Sequence, residues 1–289
     1  MKLRFTKMHS LGNDFIVIDD RETVLKNIPG LAKNLCDRRF GIGADQMLLL
    51  RRSRKADYKM RIWNADGSEV EMCGNGIRCL GKFIWDTRIR DQRSGVRGRN
   101  VSSVNRSLSI ETLGGIKYLR KIGGLVEVDM GEPIFDAERI PVKMKQRSGQ
   151  IINYPLRVKD KIFRVTCVSM GNPHAVTIVN DISSVALQQY GPLIEHHPFF
   201  PKRTNAEFIQ ISNRKNLKMR VWERGAGETM ACGTGASASG VVSSLLGLTG
   251  RKVTVNLPGG KLHIHWSEED NHVYMTGDAV KVFEGIIEI

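Results

Sequence analysis

The sequence predicts an α+β fold of two pseudo-symmetric, duplicated domains. Each is a mostly antiparallel, mixed sheet wrapped around a central helix, and the active site is expected in the cleft between them. Three observations carry this. Lys59-Met60-Arg61-Ile62-Trp63, running on to Glu69 and Cys73-Gly74-Asn75-Gly76, returns 159 positions later as Lys218-Met219-Arg220-Val221-Trp222, Glu228 and Cys232-Gly233-Thr234-Gly235. The same offset maps Ser10-Leu11-Gly12-Asn13 onto Ser169-Met170-Gly171-Asn172, Phe40 onto Phe199 and Gln46 onto Asn205. Beyond the cassettes the match resumes at an offset of 145, pairing Gly114-Gly115 with Gly259-Gly260, Val128 with Val273 and Met130 with Met275. The first copy is therefore 14 residues longer at one place.

The elements follow from local pattern. Asp14 to Asp19 is short, apolar and β-branched, and reads as a strand, as does its counterpart Ala175 to Val179. Leu31 to Arg38 fits a helix that Gly41 and Gly43 end. Gln46 to Leu50 and Asn205 to Ile209 read as buried strands, and Lys59 to Asn64 and Lys218 to Glu223 alternate as half-buried ones. After each Cys-Gly-x-Gly an apolar helix is expected, over Ile77 to Asp86 and Ala236 to Leu248. The second begins with the small residues Ala236 to Gly240, which suits close packing on all sides. Lys252 to Leu257, Lys261 to Trp266 and His272 to Thr276 read as the last strands.

At 289 residues the chain can hold two ordinary domains. No run of apolar residues is long enough to span a membrane, and no leader-like apolar segment opens the chain. Five scattered cysteines, an odd number, point to free thiols and a cytoplasmic setting. The net charge of +14 raises a nucleic-acid reading, but its distribution argues for a solvated surface. Asp86 to Arg106 and Arg139 to Arg164 supply 11 of those charges, outside the repeated cassettes and with few aromatics among the basic residues. The length difference between the copies falls in Arg88 to Arg106, which is expected at the surface and mobile.

The chemistry concentrates at Cys73 and Cys232. Each sits where a strand and a Gly-rich turn lead into a helix, whose first N–H groups are unpaired and carry partial positive charge. Such a position lowers a thiol pKa and can hold a carboxylate. One thiolate and one thiol on opposite faces of a carbon would form a two-base pair, one removing a proton and the other supplying one. Cys36, Cys79 and Cys167 read as core residues. A metal site is not expected: no Cys-x-x-Cys occurs. A disulfide between Cys73 and Cys232 would form only on oxidation. The Gly-x-Gly pairs lack the third glycine of a dinucleotide fingerprint.

Around the cysteines stand neutral amides that both donate and accept: Asn13, Gln46, Asn64, Asn172 and Asn205. Any one of them alone reads as a turn residue; together, at offset-matched places, they suit a zwitterionic ligand. Glu223-Arg224 stands where the first copy has Asn64-Ala65, and could take an ammonium and a carboxylate. His174 either tunes a nearby thiol or is a satisfied structural histidine.

These residues resemble the diaminopimelate epimerases. The likeness lies in His9 to Phe15, Arg39 to Gln46, Asn64 to Ser68, Met72 to Cys79, Gly171 to His174, Arg203 to Asn205, and Trp222 to Thr229 running into Ala231 to Gly235. It implies a cofactor-independent epimerase that needs no pyridoxal phosphate, converts LL-2,6-diaminoheptanedioate to the meso isomer, and serves lysine and peptidoglycan precursor synthesis. By that resemblance Cys232 is the base and Cys73 the acid in the LL-to-meso direction. His174 and Glu223 tune the thiols. Asn13, Gln46, Asn64, Asn172, Asn205, Glu223 and Arg224 bind substrate, with the backbone at Gly74-Asn75 and Gly233-Thr234. It also implies a homodimer, a first domain over 1–132 rejoined by a C-terminal strand over 278–289, and a second over 133–277. Two features depart from the family pattern: the longer basic insertion, and Phe283 where tyrosine is common. A proline racemase-like enzyme or an amino-acid-binding module are the rival readings; the first would leave Glu223-Arg224 with no distal group to read, and the second has no use for paired thiols.

Overall fold

The protein is described from a computed structural model, which covers residues 2–22, 25–93, 107–143 and 149–289. It divides into two compact units, Met1–Val128 with Gly277–Ile289, and Asp129–Thr276. The first holds β1 (Lys2–Ser10), β2 (Asn13–Asp19), α1 (Ile28–Cys36), β3 (Gln46–Arg51), β4 (Tyr58–Asn64), β5 (Glu69–Val70), α2 (Gly74–Arg93), β6 (Ser107–Thr112), β7 (Gly115–Ile122) and, at its boundary, β8 (Leu125–Asp129). The second holds β9 (Tyr154–Val158), β10 (Lys161–Ser169), β11 (Pro173–Ile178), α3 (Leu187–Glu195), β12 (Asn205–Asn213), β13 (Asn216–Glu223), β14 (Gly227–Glu228), α4 (Gly233–Leu245), β15 (Lys252–Leu257), β16 (Gly260–Trp266) and β17 (Val273–Gly277). The last strand, β18 (Val280–Glu288), pairs antiparallel with β1.

The duplication is reproduced in strand register. In the first unit β2 and β3 run parallel with Phe15 opposite Gln46; in the second β11 and β12 run parallel with His174 opposite Asn205. Met47 faces Trp63 across β3 and β4, and Ala206 faces Trp222 across β12 and β13. Tyr58 meets Ile110 in the parallel β4–β6 pair, and Leu217 meets Val255 in the β13–β15 pair, so both offsets hold at this crossover. Each sheet is thus mixed, as the sequence predicts.

At the last strands the sequence match misleads by two residues. Val128 lies opposite Leu119, whereas Met275 lies opposite Ile264, so the structural counterpart of Val128 is Met275 and not Val273. The cause is the hairpin. Gly123-Gly124 joins Ile122 to Leu125, while Ser267 to His272 joins Trp266 to Val273.

Helices α2 and α4 begin earlier than their apolar patterns suggest, at Gly74 and Gly233, because the glycine turn after each cysteine is itself the first helical turn. Both pack tightly on β7 or its counterpart. A Cβ on Gly81 would lie 2.6 Å from Leu119 Cδ2, and one on Gly240 would lie 2.8 Å from Ile264 Cγ2. These are equivalent contacts under the two offsets, and only glycine lets the helix come so near the sheet. Helix α4 is buried from Gly235 to Ser243, in keeping with its small residues.

Helix α1 runs from Ile28 rather than Leu31, since Pro29 is tolerated in a first turn. It stops at Asp37, whose carboxylate accepts the N–H groups of Arg39 and Phe40 at 2.7 Å. Its counterpart α3 is masked in the sequence by Gly191 and Pro192, and Gly191 lies against the Trp222 ring. Phe40 and Phe199, matched by the offset, part company: Phe40 is 93% exposed and Phe199 is buried. The arginine-rich insertion over 88–106 lies outside the described residues from 94 onward, as does 144–148 of the second basic segment.

One charged network fixes the turn between β1 and β2. Asp14 takes Arg38 through both carboxylate oxygens, at 2.8 and 3.1 Å, and Lys7 Nζ at 2.7 Å. Lys7 also donates to the Gly43 carbonyl. Asp14 Oδ1 accepts the Asp45 N–H at 2.9 Å, and Asp45 Oδ2 accepts the Asp14 N–H at 3.1 Å. Burial alone would raise the Asp14 carboxyl, but these partners hold it well below the usual carboxylate range. Its stabilising contribution is therefore complete above the ordinary aspartate pKa and is lost as pH falls through the depressed folded value. Asp14→Asn is expected to lower stability at pH 7 by about 1–3 kcal/mol, with partial exposure keeping it below the full value for a buried pair. The gap between variant and parent melting should close in strong acid.

Candidate active site

Each cysteine occupies the N-cap of its central helix, in matching geometry. Gly76 N–H approaches Cys73 Sγ at 3.4 Å, and Gly235 N–H approaches Cys232 Sγ at the same distance. Ile77 N–H bonds to the Cys73 carbonyl at 2.9 Å, and Ala236 N–H does so to the Cys232 carbonyl. A helix terminus has donors to spare, and a sulfur at the N-cap takes one of them. The first-turn amides at Gly74-Asn75 and Gly233-Thr234 stand at the positive ends of the two helices, where an anion is favoured.

The first half-site is assembled from neutral amides. Cys73 is partly exposed, and its Sγ lies 3.7 Å from Asn13 Oδ1. Asn75 donates to the same oxygen at 3.3 Å, and Asn13 donates to Asp45 Oδ2 at 2.8 Å. Gln46 Nε2 donates to Asn64 Oδ1 at 2.8 Å, and Asn64 Nδ2 to Ser68 Oγ at 3.0 Å. The buried Gln46 Oε1 has no partner among the described residues. Behind the helix start lies Arg78, fully buried. It donates to Ser10 Oγ at 2.6 Å, Asn75 Oδ1 at 2.8 Å, and the carbonyls of Gly74 and Asp278 at 3.2 Å. Burial pulls this guanidinium down from its ordinary range, while the neighbouring Cys79, Cys73 and Asp278 pull it back.

The second half-site is assembled from ionisable groups. Cys232 is buried, with Thr234 Oγ1 3.5 Å from its sulfur. Asn172 Nδ2 reaches Thr234 Oγ1 at 3.4 Å, and its Oδ1 lies 2.9 Å from His174 Nε2. Glu223 accepts the Thr229 hydroxyl, and burial pushes its carboxyl up against the lowering effect of Thr229 and Cys232. Asn205 is buried with both ends of its amide on backbone: Nδ2 to the Pro173 carbonyl and Oδ1 from Arg224 N–H, each at 2.9 Å. Arg224 is exposed and touches the Lys202 carbonyl at 3.3 Å. Glu195 steadies this turn by accepting Trp222 Nε1 at 2.8 Å and Gly225 N–H at 2.9 Å.

The expectation of a depressed thiol pKa fails at Cys232. Burial, then the charges of Glu223 and Glu207, push this thiol well above its ordinary value, outweighing the bonds from Thr234 and Gly235. A helix terminus stabilises a thiolate only when nearby anions do not cancel it. The three remaining cysteines are buried, and burial pushes Cys36 up to about 12 and Cys79 and Cys167 further, as suits core thiols.

Two buried residues here escape sequence reading. Arg78 looks like an ordinary basic residue on a helix. Glu207 lies in Asn205 to Ile209, a segment that reads as a buried strand without showing what its carboxylate would meet. Only their surroundings, fully buried and hydrogen-bonded within a cysteine turn, mark them. Among the described residues no group of three or more His, Cys, Asp or Glu is placed to hold a metal ion, and no helix is long and apolar enough to cross a membrane.

A duplicated α+β fold with a cysteine at the head of each central helix is the frame of the site, and the comparisons place the chain among epimerases. The diaminopimelate epimerase family profile matches residues 5–135 and 166–282, and the chain belongs to that family. It is 51% identical over 292 residues to a diaminopimelate epimerase of Acetivibrio thermocellus, covering 99% of each chain. It is 50% identical to one of Moorella thermoacetica, covering 98% of each. Among solved structures, a phenazine biosynthesis protein of the PhzF family from Bacillus anthracis shares the fold with a TM-score of 0.66 at 16% identity, over the full length of both chains.

The two half-sites should differ towards alkylating agents. At pH 8 iodoacetamide is expected to modify Cys73, more exposed and backed by Arg78, before Cys232. Glu223→Gln, which removes an anion beside Cys232, should quicken labelling of Cys232, as read by peptide mass spectrometry. Faster labelling of Cys232 in the parent protein would contradict the assignment.

Proposed function

We propose that the protein epimerises one stereocentre of LL-2,6-diaminoheptanedioate to give the meso isomer, with Cys232 as base, Cys73 as acid and no cofactor. The observation that carries this reading is the matched placement of two thiols at two helix N-caps, within a chain of this family. A stereoinversion needs a proton removed from one face of the α-carbon and another supplied to the opposite face.

Cys232 begins as a thiol. Its proton passes to the Glu223 carboxylate, whose raised affinity for a proton suits it to that role. The thiolate then takes the substrate α-proton, and Cys73 gives its own proton from the other side. Negative charge developing at the α-carbon spreads into the substrate carboxylate. The helix-start amides at Gly74-Asn75 and Gly233-Thr234 are the donors that stabilise it. Asn13, Gln46, Asn64, Asn172, Asn205, Glu223 and Arg224 bind the zwitterionic groups. Glu223-Arg224 against Asn64-Ala65 gives the site the asymmetry needed to tell the reacting end from the distal end.

We further infer a cytoplasmic homodimer without nucleic-acid partners. Val282, Phe283 and Ile286 of β18 are exposed and apolar, and are the surface such an association would cover.

Cys73→Ser and Cys232→Ser are each expected to lower the rate of LL-to-meso conversion about 10²–10⁴-fold while the melting temperature stays near that of the parent. Full epimerisation by either variant would overturn the two-thiol mechanism. Conversion of proline instead of the diamino diacid by the parent protein would favour a proline racemase-like activity.

A further inference from the structure

The strands beneath the two helix starts carry different pairs at equivalent positions. In the first unit the positions are Phe15 and Leu48, both fully buried. A Cβ on Gly76 would lie 3.2 Å from the Phe15 ring and 3.3 Å from Leu48 Cδ2. In the second unit the offset replaces them with His174 and Glu207, also fully buried. There a Cβ on Gly235 would lie 2.7 Å from Glu207 Oε1 and 3.3 Å from Cys232 Sγ. The first unit therefore shows that the fold is satisfied by an apolar pair in this place.

The polar pair is costly by comparison. Glu207 Oε1 accepts His174 Nδ1 at 2.6 Å, but Glu207 Oε2 is buried with no partner among the described residues. A buried polar pair is often no better for stability than apolar residues of similar volume, whereas removing one member strands the other. The arrangement instead leads toward the site. From Glu207 the contacts run through the His174 ring to Asn172 Oδ1 at 2.9 Å, and from Asn172 Nδ2 to Thr234 Oγ1 at 3.4 Å, beside the Cys232 sulfur. In the first unit the equivalent Asn13 is held from a different direction, by Asp45 at 2.8 Å.

We propose that Glu207 is a positioning residue: its carboxylate fixes the His174 ring so that Nε2 holds the Asn172 carboxamide in its substrate-binding orientation beside Cys232. It does not touch the substrate. This rests on the epimerase reading for the role of Asn172, but the arrangement of the ring does not depend on it.

The experiment compares Glu207→Gln, Glu207→Leu and the double variant His174→Phe/Glu207→Leu in the full-length protein. Glutamine keeps an acceptor for Nδ1 and leucine removes it. Glu207→Leu is expected to raise KM for LL-2,6-diaminoheptanedioate about 10- to 100-fold with a smaller fall in kcat, while Glu207→Gln stays within about threefold of the parent. The double variant copies the apolar pair of the first unit. It should melt no earlier than the parent and still epimerise poorly, which keeps the proposal testable if Glu207→Leu alone does not fold. In the ¹⁵N spectrum of the histidine rings, the hydrogen-bonded Nδ1–H of His174 should persist in Glu207→Gln and be lost in Glu207→Leu. Parental kinetics in a folded Glu207→Leu or in the double variant would overturn the proposal, as would equal damage by glutamine and leucine. Failure of the parent to act on the diamino diacid would instead sink the functional reading, and the ring spectrum would still decide the role of Glu207.

Discussion

Everything at the site depends on where two helices start. A helix whose N-cap is cysteine must bring its third residue's N–H to the sulfur, and that residue packs directly on the strands below. Gly76 and Gly235 meet this demand: both amides reach sulfur at 3.4 Å, and both α-carbons lie so near the strands that any side chain would collide or crowd. One turn further along, Gly81 and Gly240 bring the helix against Leu119 and Ile264 in the same way. The sulfur position is thus set by backbone packing rather than by a flexible side chain, which is what proton transfer over a short distance requires.

On that common frame the two units install opposite electrostatics. Cys73 has amides around it and the buried Arg78 behind it; Cys232 has Glu223, Glu207 and His174. Burial and these anions keep Cys232 a thiol, so the proposed mechanism needs a proton acceptor beside it, the role proposed for Glu223. A symmetric backbone with unsymmetric charge suits a reaction that inverts one centre of a molecule bearing two.

The sequence made the fold legible because the duplication has a constant offset, which carries over into strand register at Phe15/Gln46 and His174/Asn205. It misplaced Val128 by two residues, since a match of two valines cannot reveal that one hairpin loop is longer. It missed α3 because Gly191 and Pro192 are read locally as breakers, whereas tertiary packing under Trp222 holds the helix. The placement of Cys73 and Cys232 at matched helix starts was legible from motif and pairing. Arg78 and Glu207 were not, because an isolated charge in a regular element reads as solvated and its burial is a property of the folded chain. The Cys232 pKa was misjudged for the same reason: the helix terminus is visible in sequence, but the burial and the carboxylates that oppose it arise only on folding.

In the proposed mechanism two different thiols handle the departing and arriving protons. The most direct measurement is epimerisation of protiated LL-2,6-diaminoheptanedioate in D₂O, followed from the first turnovers by mass spectrometry. Deuterium is expected at the inverted α-carbon of nearly all meso product from the start, while unreacted LL substrate remains protiated. Product that retains the substrate's own hydrogen at that carbon would mean that one group carries the proton across, and would overturn the two-thiol mechanism.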